Sequence, residues 1–176
     1  MFIDHYSRLS YVYLQTTMTV DETVLAKEAF EWYAASHGVT VLHYHADNGS
    51  FADNKFWQSI DKTRGQMLTF CDVNAHFQNG VAKRRIHELQ DHACTMLIHA
   101  NKRWLHAINT DLWPYALRMV NDILNATLNL KTGNTPLNAF AQSDITSNPK
   151  HWYPFGCPVY VDSNLQAGKK ISKWSD

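Results

Sequence analysis

The sequence has few cysteines, and their arrangement excludes two classes of small protein. Cys71, Cys94 and Cys157 lie far apart and form no C-x-x-C pair. Neither a zinc ribbon nor a disulfide framework is therefore supported, and a reducing intracellular compartment fits best. The chain also lacks an apolar run long enough to span a bilayer and a secretory signal pattern at its N-terminus. We therefore expect a soluble protein that is not secreted.

No charge of either sign predominates, because 16 Lys and Arg residues balance 16 Asp and Glu residues. Any surface that attracts nucleic acid must therefore be local. Over 176 residues, the chain has a hydrophobic fraction of 45% and a charged fraction of 18%. These values are typical of one globular domain with a core, plus a tail. We expect five tryptophans to be core or packing residues: Trp32, Trp57, Trp104, Trp113 and Trp152.

Strand patterns predominate in the first part of the chain. β-Branched and aromatic residues predict antiparallel strands at Phe2–Asp4 and Tyr11–Gln15, and a third strand around Thr16–Val20. A helix is predicted from Asp21 to a stop at Gly38. Alternation over Val39–His45 then predicts a strand that leads into an Asn-Gly turn.

Helical patterns predominate further along the chain. The predicted elements are a helix at Asn54–Arg64, a strand at Met67–Cys71, helices at about Val81–Asn101 and Leu112–Asn125, and a short helix from Thr135. Gly65 closes the first of these helices. Pro114 falls in the first turn of a later helix, where its missing N–H costs little. Strands followed by alternating strands and helices predict an α/β layered fold.

The pattern changes near residue 145, so we expect two regions. Residues 1–145 carry the α/β plan, with a truncated first strand because Met1 begins directly inside a strand pattern. Residues 146–176 are typical of a linker and the start of a β-rich element, since prolines and a glycine interrupt a strand-like segment at Cys157–Val161. Both ends suggest a piece of a longer protein.

Two aspartates lie where a divalent metal could be held. Asp4 is flanked by strand residues, and Asp47 lies at a strand end before the Asn-Gly turn. A carboxylate at a strand end is rigid yet exposed, and magnesium prefers one or two carboxylates together with phosphate and water oxygens. For either aspartate alone, a turn-forming role is the more common outcome. His43 and His45 alternate as a metal pair could, although a half-exposed strand is the more common case.

Six segments form an ordered set of motifs: Phe2–Arg8, His45–Phe51, Asn79–Arg85, Leu112–Ala116, Thr135–Leu137 and Phe155–Val161. Together they resemble the integrase catalytic core of Copia-type retrotransposons, within the retroviral-integrase-like superfamily, over nearly the whole chain. The resemblance implies a ribonuclease-H-like mixed five-stranded sheet flanked by helices, with a truncated β-rich C-terminal extension. It also implies a two-metal polynucleotidyl transferase with magnesium or manganese, which processes element DNA ends and joins them to target DNA. A homo-oligomer and a nuclear location are further implications.

The chain departs from the family at its third metal ligand. The family places two aspartates and a glutamate on the metals, the last two separated by thirty-five residues. Asp4 and Asp47 match the aspartates, but the third place falls on Lys83. A protonated lysine only donates hydrogen bonds and cannot ligate a cation. Glu88 lies about 140° further round the helix, and the imidazole of His87 is a poor magnesium ligand. We expect one weakly held metal, loss of the second, and reduced or absent strand transfer.

The helix that carries the third motif is also basic. The resemblance implies contact with nucleic acid at Asn79, Gly80, Lys83, Arg84, Arg85 and His87. Free N–H groups at a helix N-terminus favour an anion, whereas the alternative is a solvated helix face. Three interpretations stay open: an integrase core with an incomplete catalytic triad, a non-catalytic DNA-binding or assembly module, and a decayed element remnant.

Overall fold

The computed structural model describes residues 1–47, 49–71, 79–105, 108–145 and 152–159. The elements in chain order are β1 (Phe2–Ile3), β2 (Ser10–Tyr11), α1 (Val20–Ser36), β3 (His43–Ala46), α2 (Asn54–Arg64), β4 (Met67–Phe70), α3 (Gly80–Arg103), α4 (Trp113–Ala126) and α5 (Pro136–Ala141). Short 3-10 turns precede α2 and α4. The predicted α/β class is confirmed.

The described residues form two separate two-stranded sheets, so the predicted five-stranded sheet is not formed there. β1 pairs antiparallel with β2, and β3 pairs parallel with β4. The rings of Phe2 and Tyr44 bring β1 and β3 side by side, with centroids 6.0 Å apart. No ladder joins these two strands: β1 consists of two residues, and a cleft is lined by residues of both strands.

The third strand predicted around Thr16–Val20 is wrong because this segment begins a helix. Thr19 is the N-cap of α1, and its hydroxyl accepts a hydrogen bond from the Glu22 N–H at 3.4 Å. The Thr16 hydroxyl donates to the Glu22 carboxylate at 2.8 Å. Capping provides hydrogen-bond partners for the free N–H groups at the N-terminus of the helix. This stabilisation outweighs the preference of β-branched residues for strands. The second predicted strand is likewise paired only at β2.

A glycine ends α1, as the sequence predicts. Gly38 adopts a φ of 74°, and its N–H donates to the Ala35 carbonyl at 3.0 Å. The N–H of Val39 donates to the Ala34 carbonyl at 2.9 Å, which completes a Schellman motif. Val39 therefore belongs to the helix cap, and β3 begins only at His43. α2 ends similarly, at a glycine with a φ of 62°.

Two apolar clusters form the core and pack the strands and helices together. The first consists of Leu9, Phe30, Ala34, Tyr44, Phe56, Ile60 and Phe140. The second lies between α3 and α4 and consists of Leu89, Ala93, Ala116 and Val120. Trp113 packs against the second cluster, as expected. Trp32 is 75% exposed on α1, so its predicted place in the core is wrong.

The buried Asn125 connects α4 to β2 through hydrogen bonds. The side-chain amide of Asn125 accepts from the Ser10 N–H at 3.0 Å and donates to the Ser10 carbonyl at 2.7 Å. The Ser10 hydroxyl donates to Asn121 at 2.7 Å. Asn125 thus satisfies both backbone groups of a strand residue, as a neighbouring strand would. This contact positions the β1–β2 hairpin on the helices.

Residues 152–159 pack against the end of α3. The Cys157 N–H donates to the Pro154 carbonyl at 3.1 Å, and Phe155 contacts the second apolar cluster. Positions 157–159 are not in a strand, which leaves the prediction at Cys157–Val161 without support in this part of the chain. The rest of the predicted C-terminal element, and most of its linker, lie outside the described residues.

Candidate active site

Asp4 lies directly after β1, in the tight turn that leads to β2. Its Oδ2 atom accepts hydrogen bonds from the Ser7 N–H at 2.6 Å and from the Ser7 hydroxyl at 2.7 Å. The Asp4 N–H donates to the Leu9 carbonyl at 2.9 Å, and Arg8 adopts a left-handed φ of 65°. One carboxylate oxygen therefore holds the turn. Within the described chain, no donor contacts the other oxygen, Oδ1.

Asp47 lies directly after β3 and is exposed. Its Oδ1 atom accepts from the Gly49 N–H at 3.4 Å, a long hydrogen bond. A Cβ at Gly49 would lie 3.3 Å from that same oxygen, so glycine leaves room for the carboxylate. The intervening Asn48 lies outside the described residues. Both aspartates thus take part in local turns, the alternative that the sequence had left open.

A cleft of about 510 Å³ opens between the edges of β1 and β3 and the start of α3. Its polar lining includes Asp4, His43, His45 and Asn79, and its apolar lining includes Phe30 and Phe56. Asp47 and Lys83 are not among the lining residues. The structure therefore brings Asp4 and the N-terminal end of α3 to one cleft and leaves the other two predicted site residues outside it.

Arg85 docks α3 onto the turn that contains Asp4. Its Nη2 atom donates to the Arg8 carbonyl at 3.2 Å, and its Nη1 atom pairs with the Glu88 carboxylate at 2.9 Å. The Arg85 side chain is only 14% exposed. Its predicted role in DNA contact therefore competes with a structural role, which the sequence did not reveal because Arg8 lies 77 residues away.

The remaining cationic residues at the start of α3 face solvent. Lys83, Arg84 and His87 are exposed, in the first two turns of the helix. Asn79 is the N-cap residue, and its side chain makes no capping hydrogen bond within the described chain. Gly80 begins the helix and is half-buried. Backbone N–H groups and exposed cations thus occur together at this helix end.

The donor set does not fit a two-metal centre. Among the described residues, no three His, Cys, Asp or Glu side chains converge well enough to hold a metal ion. The predicted positions offer two carboxylates, Asp4 and Asp47, and the ammonium of Lys83. Two magnesium ions share several oxygen ligands in two-metal enzymes, and an ammonium supplies none.

The histidines of β3 are hydrogen-bonded to β4. The Nε2 atom of His43 and the Nδ1 atom of His45 lie 2.8 and 2.9 Å from the Thr69 hydroxyl. The Nε2 atom of His45 lies 3.4 Å from the Cys71 sulfur. Both imidazoles thus bridge the two strands of this sheet, on its exposed face.

The sequence did not reveal a buried ion pair beneath β3. The Nζ atom of Lys27 lies 3.1 Å from the Glu31 carboxylate and donates to the Ser59 carbonyl at 3.2 Å. The same Glu31 oxygen accepts from the Tyr44 hydroxyl at 3.0 Å and from the Gln66 amide at 2.6 Å. The i, i+4 spacing was the only signal, and the same spacing also forms ion pairs on exposed helix surfaces. This network fixes α1 against the strand that leads to the second aspartate.

Comparison with known proteins identifies a similar fold and no closer relationship. No family model and no curated protein matches the chain. The chain is similar to one in the cryo-electron-microscopy structure of a simian T-cell lymphotropic virus intasome in complex with the PP2A regulatory subunit B56 gamma. The TM-score is 0.57 and the identity 15%, over 92% of this chain and 52% of that one. The fold resembles that of a retroviral intasome structure.

At this identity the likeness extends to the fold alone. The chain spans about half the length of the intasome-structure chain that it matches. The Copia-type assignment gains nothing from these comparisons and stays a prediction. Within the described residues, no helix combines the length and the apolarity needed to cross a bilayer.

Proposed function

We propose that this chain is an integrase catalytic-core fragment of a Copia-type retrotransposon, one that binds DNA and is impaired in DNA joining. The observation that carries the proposal is the exposure of Lys83 and Arg84 at the start of α3, beside the turn that holds Asp4. The likeness to an intasome structure supports a role with nucleic acid.

DNA binding rests on the electrostatics of this helix end. The exposed side chains of Lys83, Arg84 and His87 and the N–H groups after Asn79 present positive charge to one region. A helix N-terminus favours phosphate, and each phosphate contact releases condensed counterions. The partner is therefore duplex DNA of the element ends or of the target, bound through its backbone.

Impaired joining rests on the chemistry of the third position. In this proposal Asp4, through Oδ1, and the exposed Asp47 hold a single magnesium or manganese ion weakly, since the turn uses only Oδ2 of Asp4. Lys83 would repel a second ion instead of binding it, and two ions are needed to stabilise both the attacking and the leaving oxygen. We therefore place the lost step at the joining reaction rather than at DNA binding.

A second candidate function is a DNA-binding or assembly module that uses no metal. It is favoured by the two hydrogen bonds from Ser7 to Asp4, since these give one carboxylate oxygen a structural role in the turn. Magnesium titration separates the candidates. Saturable metal binding that disappears in Asp4→Asn supports the residual metal site, and the absence of such binding supports the module.

The decisive experiment compares DNA joining by the unaltered chain and by Lys83→Glu, in magnesium and in manganese. We expect little or no joining by the unaltered chain and a gain in Lys83→Glu. Duplex binding by Arg84→Ala should weaken, and the log–log salt slope should flatten by about 0.9 for one lost phosphate contact. Lys131→Ala, an exposed cation in the turn before α5, serves as the control. Robust magnesium-dependent joining by the unaltered chain would contradict the proposal that DNA joining is impaired.

A further inference from the structure

A second groove lies at the opposite end of α3, where it meets the segment at residues 154–155. Its volume is about 430 Å³, within the range of about 300–1,000 Å³ that is common for ligand sites. The lining residues that matter here are His99, Lys102, Arg103, Trp104, Pro154 and Phe155. Lys83 and Lys102 are nineteen residues apart on α3, about 28 Å at about 1.5 Å per residue. The groove is therefore separate from the carboxylate site.

The charge of the groove favours an anion. Lys102 and Arg103 are exposed, His99 adds an imidazole, and no carboxylate is among the described residues that line the groove. Lysine and arginine that flank an apolar surface are suited to a ligand with phosphates on one side and an apolar face on the other.

The aromatic residues of the groove supply that apolar face. Trp104 is half-buried at the end of α3, and the Arg103 guanidinium lies 5.1 Å from its ring centroid. Phe155 is half-buried and packs against the second apolar cluster. Bases stack on such rings with little dependence on sequence, and neighbouring cations contact the backbone phosphates. The bases of a duplex are already stacked on one another, so the ligand must offer unpaired bases.

Close packing holds Phe155 in place on the aromatic side of the groove. Gly156 adopts a φ of 76°, and a Cβ there would collide with the side chain of Ile108. The same Cβ would lie 3.4 Å from Ala100 on α3. The backbone after Phe155 is thus seated directly on the helix, so that the groove is largely formed before a ligand enters. A preformed site loses less ordering entropy on binding.

We propose that this groove binds unpaired nucleotides of a single-stranded nucleic acid, with a base stacked at Trp104 and Phe155 and phosphates at Lys102 and Arg103. The site goes beyond the proposed function, because it needs neither a metal nor the residues at the start of α3. In a DNA-joining assembly, the groove would hold the unpaired end of a DNA strand. In a module without catalysis, the groove would bind single strands by itself.

The test measures the affinity of the chain for a fluorescein-labelled twelve-nucleotide oligothymidylate and for a duplex of equal length. Trp104→Leu should weaken single-strand binding about five- to 150-fold, the range expected for the loss of one stacked base. Duplex binding should stay within about twofold. Trp32→Leu, which replaces a 75% exposed tryptophan on α1, is the matched control and should change neither affinity.

A second variant guards against misfolding of the first. Lys102→Ala/Arg103→Ala alters two exposed side chains, and it should also weaken single-strand binding. Unchanged single-strand affinity in either folded variant, or an equal loss for duplex and single strand, would overturn the proposal. Arg84→Ala should lower duplex affinity alone, so failure of the proposed function and failure of this site give different results.

Discussion

Replacement of Lys27 by methionine tests whether the buried ion pair beneath β3 holds the fold together. The Lys27 and Glu31 side chains are 2% and 13% exposed, with the Nζ atom 3.1 Å from the carboxylate. Methionine keeps an unbranched apolar side chain and removes the ammonium. Removal of one partner from a buried pair costs about 3–5 kcal/mol, because the other charge stays buried. We expect a cost near the lower end, about 3 kcal/mol, since Glu31 keeps its hydrogen bonds from Tyr44 and Gln66.

The double variant Lys27→Met/Glu31→Gln separates charge from packing. Glutamine retains an oxygen that can accept from Tyr44 and Gln66, and it carries no charge. We expect the double variant to recover at least half of the stability lost in Lys27→Met, because replacement of both buried charges is often close to neutral. Urea unfolding of these two variants and of Glu31→Gln alone, followed by tryptophan fluorescence, completes a double-mutant cycle for the pair.

An exposed pair in the same chain provides the control. Lys55 and Asp21 also lie 3.1 Å apart, with side chains 66% and 74% exposed. Lys55→Met should therefore cost no more than about 1 kcal/mol, as exposed pairs do. Equal effects of Lys27→Met and Lys55→Met would show that burial does not set the cost, since burial is the main difference between the two pairs.

Three further changes test other parts of the structure. Asn125→Ala leaves the N–H and C=O of Ser10 buried without their partner, so the free energy of unfolding should fall by about 2–5 kcal/mol in urea titrations. Partial burial raises the pKa of Asp122 above its ordinary value, although the residue as a whole is exposed. The charged form therefore weakens the fold as the pH rises through the raised pKa. Asp122→Asn should stabilise the chain slightly at pH 7 and have no such effect below about pH 4, and a melting-temperature difference that grows toward acidic pH would contradict this. Gly156→Ala places a methyl group against Ile108, so limited proteolysis should cut the C-terminal segment faster than in the unaltered chain.

Helix boundaries were the part of the fold that could be predicted, because the interactions that set them are local. The end of α1 is set at Gly38, where the Gly38 N–H bonds to the carbonyl three positions back and the Val39 N–H bonds to the carbonyl five positions back. Pro114 and Thr135 fix the starts of α4 and α5. One error, the strand predicted around Thr16–Val20, also had a local signal in the capping pattern from Thr19 to Glu22. Strand pairing was less predictable, since β1 is too short to specify a partner.

The candidate site was only partly predictable for the same reason. The sequence alone identified Asp4, Asp47 and the lysine at position 83, because motif spacing is a property of the chain. It could not decide that Asp4 uses one oxygen to hold a turn, or that Arg85 docks a helix instead of facing solvent.

The order of the elements, the ends of most helices and the chemistry available at each motif follow from local patterns in the chain. Tertiary packing sets which charges are buried, which cations face solvent and which aromatic residues meet at the end of α3. The physical reason is distance along the chain: Ser10 and Asn125 are 115 positions apart, yet they share hydrogen bonds. Such contacts depend on how whole elements pack, and no local pattern encodes them.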